Sequence, residues 1–277
     1  MSLTTCDIFK VGLGAKVDVA SPVVDVSSLK NGDYIRGTKT LSGSATDDTG
    51  VKSVTLIVNN GSVQLASIAA TVNAETWTAV LDTNALAPSQ EIQADLILRI
   101  TDDTGKTSDK KLVLYFDNVA PSIASLSPTK ENLEKTDTLM SGTVAFSGSI
   151  KDGLGVKDLV FTAGGIAFPL KAGTTPASWT VEVNTARNAS NQPMFVPGTA
   201  SGVVDLGGGQ LKVPLKIDAV DNAGNSTSVQ TFFYVDQNAA APKIDFPSPF
   251  NPTILYPNLT PIQASNVLAP KQQISFR

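Results

Sequence analysis

The sequence predicts an all-β chain of antiparallel sandwiches set in tandem, and three observations predict it. Apolar residues alternate with period two in runs of strand length, such as "VTLIV", "WTAVL", "LILRI", "LVLYF", "VAFSGSI", "LVFTA", "WTVEV" and "VPLKIDAV". Gly, Asp, Asn and Pro divide these runs about every 8–12 residues, which is the rhythm of a sandwich. The same order of blocks then appears twice along the chain.

The first copy reads "SPVVDV", then "TKTLSGSATDDTGVKSVTLIVN", "TWTAVLDTN" and "ADLILRITDDTGKTSDKKLVLYFDNVAP". The second reads "APSIASLSP", then "GTVAFSGSIKDGLGVKDLVFTAG", "SWTVEVNT" and "KVPLKIDAVDNAGNSTSVQTFFYVDQNAAAP". Trp77 and Trp179 hold the same place, and each copy carries two Asp-x-x-Gly segments. A third copy opens at "APKIDFPSP" and stops near "QISFR", as expected either of a piece of a longer array or of a chain with an unusual end. The expected organisation is an N-terminal tether over 1–16, one domain over 17–117 and a second over 118–236 with a loop insertion at 184–210. Residues 237–277 then form the start of a third repeat or a C-terminal tail. No amphipathic helix is expected.

Composition removes several function classes. The chain has 277 residues and no His, which excludes Ser-His-Asp and Cys-His catalysis, His-ligated zinc and His proton shuttles. Its single Cys forms no internal disulfide, so stability must come from cores. The net charge of −4 and the lack of a basic cluster argue against nucleic acid as a partner. No window approaches the ~20 apolar residues of a membrane helix. Cys6 closes the segment Leu3-Thr4-Thr5-Cys6, which resembles a bacterial lipobox lacking its preceding apolar region. Two readings stand, a lipidated Cys6 that tethers the chain to a membrane and a stray N-terminal Cys.

The Asp-x-x-Gly turns, the "W-T-x-x-[VL]" strand and the junctions "VDVASPVV", "FDNVAPSI" and "VDQNAAAPKI" resemble those of tandem bacterial immunoglobulin-like domains of cell-surface proteins. The resemblance runs from Val17 over nearly the whole chain. It implies immunoglobulin-like β-sandwiches and an extracytoplasmic place at the cell surface, as an outer-membrane lipoprotein or a secreted chain. Sandwiches host many roles, so function needs its own argument.

The four turns begin at Asp47, Asp102, Asp152 and Asp221 and end at Gly50, Gly105, Gly155 and Gly224. One reading is purely local: Gly supplies a positive φ and the leading Asp accepts backbone N–H bonds. A second reading uses topology. In an immunoglobulin sandwich the loop after the second strand and the last hairpin share the pole at which the chain enters the domain. Asp117, Asn118, Asp152, Asp221 and Asn222 then converge at the joint of the two domains, and Asp47, Asp48, Asp102 and Asp103 form a weaker set at the matching pole of the first. Hard oxygens in such number suit Ca²⁺. "FDNVAP" also resembles the calcium linker of cadherins, although Gly153 and Leu154 stand where acidic or polar residues are expected and Gln237 stands where Asn is. Pro22, Pro121 and Pro242 at the junctions restrict the linkers and favour a semi-rigid rod.

Trp77 and Trp179 are expected in the cores, not as sugar-stacking platforms. Phe246, Phe250 and Tyr256 in the Pro-rich tail make the candidate exposed aromatic patch. Carboxylates are the only potential catalytic groups in number. They cluster in duplicated turns, whereas one active site would mark only one copy. Gly207-Gly208-Gly209 lacks the Lys of a phosphate loop. The expectation is a non-enzymatic structural or adhesive array that presents a partner from a bacterial surface. The alternative is a binding module for a glycan or host-matrix protein, acting alone or as an accessory to a catalytic domain outside this chain, with the 184–210 insertion as its ligand loop.

Overall fold

The protein is described from a computed structural model that covers residues 18–187, 189–190, 192–198 and 201–237. Cys6, the aromatic tail and the third repeat lie outside the described residues. The first sandwich is built from β1 (Val23–Val24), β2 (Tyr34–Ile35), β3 (Thr38–Thr46), β4 (Val51–Asn60), β5 (Val63–Ala69), β6 (Thr71–Asn73), β7 (Thr76–Asp82), α1 (Thr83–Leu86), β8 (Glu91–Asp102) and β9 (Thr107–Asp117). The second follows with β10 (Ser122–Ser127), α2 (Lys130–Leu133), β11 (Leu139–Met140), β12 (Thr143–Lys151), β13 (Val156–Ala163), β14 (Ile166–Phe168), β15 (Ser178–Asn184), β16 (Val204–Gly207), β17 (Gln210–Asp221) and β18 (Ser226–Asp236).

In the first sandwich a β1-β3-β7-β6 sheet faces a β2-β9-β8-β4-β5 sheet; in the second, β10-β12-β15 faces β11-β18-β17-β13-β14, and β16 pairs with β17. This is the immunoglobulin strand order that the resemblance implies, in the antiparallel sandwiches that the alternation predicts. Two features depart from the sequence reading. The leading strand of each copy is split, so that β2 runs parallel to β9 and β11 runs parallel to β18. Two single-turn helices also appear, each capped by the residue before it. Asp82 accepts from the backbone N–H groups of Asn84 and Ala85, and Thr129 accepts from that of Asn132. Four residues are too few to show a helical period.

The alternation fixes the cores directly. In β7 every second residue is buried, from Trp77 through Ala79 to Leu81. Trp77 and Trp179 are each 1% exposed, so they are core residues. Each lies opposite a glycine on the neighbouring strand, Gly43 and Gly148. A Cβ on Gly43 would stand 1.8 Å from Asp25 O, and one on Gly148 would stand 2.4 Å from Ser125 O. These glycines let the outer strand close over the indole. Trp77 Nε1 donates to Asp25 O at 2.9 Å, while Trp179 Nε1 is buried without a partner. A bulge between Ile123 and Ser125 in β10 marks the difference between the copies.

The first core is mainly aliphatic. The second is aromatic, with Phe146 near Phe161 and Phe233, and Phe195 near Phe233 at 6.1 Å between ring centroids. Phe195 and Val203 come from the 184–210 insertion, and both are buried in this core. The insertion therefore lies over the β13–β14 hairpin, and a Cβ on Gly164 would meet Phe195 Cδ1 at 2.7 Å.

Candidate metal centre

Each leading Asp uses one carboxylate oxygen to close its own turn. Asp102 Oδ1 accepts from the backbone N–H groups of Thr104, Gly105 and Lys106 at 2.7–2.9 Å. Asp47 Oδ2 accepts from the backbone N–H and hydroxyl of Thr49, and Asp152 Oδ1 from the N–H of Leu154. The four closing glycines have φ of 121°, 97°, 102° and 88°, a region that Gly adopts without strain. The other oxygen is different: Asp47 Oδ1, Asp102 Oδ2 and Asp152 Oδ2 are buried and accept no hydrogen bond, and the same holds for Asp117 Oδ2. The turn reading and the ligand reading therefore describe opposite edges of the same carboxylates.

These oxygens gather in two places, each ringed by carboxylate atoms within 4.8 Å of one another. At the pole of the first sandwich the residues are Asp18, Asp47 and Asp102. At the joint they are Glu91, Asp117 and Asp152. Asp117 is fully buried at the end of β9, and Asp221 lies close enough for its charge to act on both Asp117 and Asp152. Burial pushes the Asp117 carboxyl up to about 6, and the charges of Asp221, Asp152 and Glu91 add to the rise. Burial, then Glu91, raises Asp152 as well. A folded pKa above the unfolded value means that the folded protein keeps a proton the unfolded chain has released. That contribution to stability is complete below pH ~4 and is lost as the pH rises through the folded value, so the joint is under strain at neutral pH unless a cation replaces the proton.

The joint is assembled from both sandwiches. Glu91 Oε1 accepts from Gly153 N at 3.0 Å, Arg36 Nη1 donates to Asn225 Oδ1 at 3.2 Å, and Asn225 Nδ2 donates to Asp117 O at 2.9 Å and Asp221 Oδ2 at 2.8 Å. A Cβ on residue 153 would stand 1.8 Å from Glu91 Oε2. The absent side chain at Gly153 thus gives Glu91 its room. A groove of about 630 Å³, lined by Glu91, Ser122 and Asp152 among others, opens beside the cluster. Hard oxygen donors only, several of them unpaired, suit Ca²⁺ or Mg²⁺ and not a soft metal.

Several residues expected at the site stand elsewhere. Asn118 fastens the end of β9 to the first sandwich: its Nδ2 donates to Thr83 O and Ala87 O, and its Oδ1 accepts from Gly37 N and Thr83 Oγ1. Gln237 does the same work in the second copy, donating to Thr185 O and Phe195 O. The exchange of Asn for Gln is thus a longer staple that reaches the insertion. Asn222 Nδ2 ties the two turns of the second pole together through Leu154 O and Gly155 O. Asp48 and Asp103 are exposed, and neither is in the three-carboxylate group. Sequence reasoning missed Glu91, Asp18 and Asn225.

Residues 22–94 match the family model described as a bacterial Ig domain. No curated protein matches the chain. Among solved structures, the fibronectin(III)-like modules of Clostridium thermocellum CbhA match at 15% identity with a TM-score of 0.40, over 80% of this chain and 100% of that one. A three-immunoglobulin fragment of titin with an E-to-A mutation matches at 10% identity with a TM-score of 0.42, over 78% of this chain and 66% of its own. The strand order and the repeated Trp–Gly pairs give the described residues two immunoglobulin-like sandwiches in tandem, and residues 22–94 of the first match the bacterial Ig domain model.

Proposed function

We propose that this protein is a non-enzymatic, extracytoplasmic array whose two domains, 17–117 and 118–236, are locked at their joint by a divalent cation, calcium by preference. Its work is structural or adhesive, to hold a partner at a set distance from a bacterial surface. The observation that carries the reading is the convergence of Glu91, Asp117 and Asp152 from two different sandwiches, with Asp117 Oδ2 and Asp152 Oδ2 unpaired. A cation there is held by both domains at once and restrains the hinge between them. The bacterial Ig match over residues 22–94 supports the extracytoplasmic setting. Among the described residues, no helix is long and apolar enough to cross a membrane. Small-angle scattering tests the reading. With calcium the pair of sandwiches gives one narrow distance distribution, and chelator broadens it. Identical profiles in calcium and chelator count against a cation-set joint.

A second reading, a binding module for a host protein, draws on the insertion's exposed apolar side chains, Val196, Val204 and Leu206. They form the candidate contact surface of that reading, whereas Phe195 and Val203 of the same insertion are buried in the core.

A further inference from the structure

The two acidic poles occupy equivalent places in the repeat and differ in several residues: only the joint receives Glu91, and the last turn carries Thr104 and Lys106 in the first copy where the second has Ala223 and Asn225. Asp18, Asp47 and Asp102 of the first copy correspond to Asp117, Asp152 and Asp221 of the second. The residue four positions after the last Asp is Lys106 in the first copy and Asn225 in the second. Lys106 Nζ is 2.9 Å from Asp18 Oδ1, and it donates to Asp18 O at 2.9 Å and to Ala20 O at 3.0 Å. Two ammonium donors thus meet carbonyl oxygens of the segment that leads into the domain, while Asp18 Oδ1 shares an ion pair with the ammonium and, buried, accepts no hydrogen bond. Thr104 Oγ1 donates to the other oxygen of Asp18, and the Asp18 side chain is only 5% exposed. The Thr104 hydroxyl and then the Lys106 ammonium hold the Asp18 carboxyl below its ordinary range. In the second copy the neutral Asn225 amide reaches the equivalent carbonyl, Asp117 O, and brings no charge. Asp117 and Asp102 are both fully buried, and each keeps an unpaired Oδ2.

We infer that Lys106 is a built-in cation that takes the place of the divalent ion at the first pole, and that the Lys106/Asn225 exchange decides which pole of this chain binds metal. The physical reason is local charge. A Ca²⁺ beside Asp18, Asp47 and Asp102 must sit within a few ångströms of an ammonium already ion-paired with Asp18, and like charges at that distance repel. At the joint the Arg36 guanidinium donates to Asn225 Oδ1. Asp18 O and Ala20 O, freed from the ammonium, become two further hard-oxygen ligands alongside the three carboxylates.

The inference rests on the cation-joint reading for the second pole only, and its test separates the two. Calcium chloride is titrated calorimetrically into the whole chain as wild type, K106N and N225K. The melting curve of each in chelator checks that it is folded, and K106M serves as a second neutral variant with the apolar stem retained. Wild type binds one calcium, K106N and K106M bind one more than wild type, and N225K binds one fewer. The increment at residue 106 is the readout of the inference. A folded K106N and a folded K106M that both bind the wild-type number overturn it, as does a wild type that binds two. A wild type that binds none sinks the joint reading, and a gain of one site in K106N then still supports the role of Lys106.

Discussion

Replacing Phe195 with alanine destabilises the second sandwich by about 3–5 kcal/mol, the usual cost of deleting a fully buried aromatic ring. Phe195 is 0% exposed and packs edge-on against Phe233. Its ring also covers Gly164, where no Cβ keeps it away. Urea denaturation of the whole chain reads the effect as an early transition assigned to the second sandwich, with the first unchanged. A change below about 1 kcal/mol would return the insertion to the status of a surface loop free to carry a ligand. The large effect instead makes the segment around Phe195 a lid on an aromatic core, fastened by Gln237 through Phe195 O.

Replacing Gly43 with alanine costs about 3 kcal/mol or more and detaches the first strand. The added Cβ would stand 1.8 Å from Asp25 O and 2.8 Å from Trp77 Nε1. The obstacle at Asp25 is backbone, so β1 must move away from β3. That movement breaks the Asp25–Ser44 backbone pair and the bond from Trp77 Nε1 to Asp25 O. Gly61→Ala is the control. Nothing lies within 4 Å of its added Cβ, and only its positive φ of 56° is strained. That substitution costs about 1 kcal/mol. A Gly43→Ala effect no larger than the control would mean that the strand tolerates the methyl group and that the Gly–Trp pairing is incidental. Gly148→Ala repeats the experiment in the second copy, against Ser125 O.

Most of the fold was legible because period-two burial is a local property of each strand. The residues quoted in "WTAVL" and "WTVEV" are buried at alternate positions as the pattern requires. What was not legible depends on contacts between segments far apart. Glu91 opens β8 at the end of the first sandwich opposite the acidic turns, and only the docking of the two copies brings it to Asp152. Its signal was faint: Glu91 stands opposite Asp117 in the ladder, and the equivalent place in the second copy, opposite Asp236, holds Gln210. Gly153 looked like a missing ligand, yet its bare backbone is what admits Glu91. Asn118 looked like a ligand because polar linker residues invite that reading, whereas its amide satisfies four backbone and hydroxyl groups around Thr83. The sequence offered a clue in "WTAVLDT" and "WTVEVNT", where Thr83 and Thr185 recur after a capping Asp or Asn. The insertion was opaque for another reason: Phe195 lies in "QPMFVPG", where prolines interrupt any alternation.

Completion of the joint by a divalent cation is tested most directly by thermal unfolding of the wild-type chain at pH 7.5. At that pH the Asp117 carboxyl, pushed up to about 6, has lost its proton, so Glu91, Asp117 and Asp152 repel one another without relief. Calcium at about 100 times its dissociation constant contributes ~2.7 kcal/mol to the folded state. The account therefore predicts a melting temperature higher by a few degrees in calcium than in chelator, with the difference abolished in Asp152→Asn. Superimposed wild-type curves in calcium and chelator would contradict it and leave the four Asp-x-x-Gly segments as turns alone.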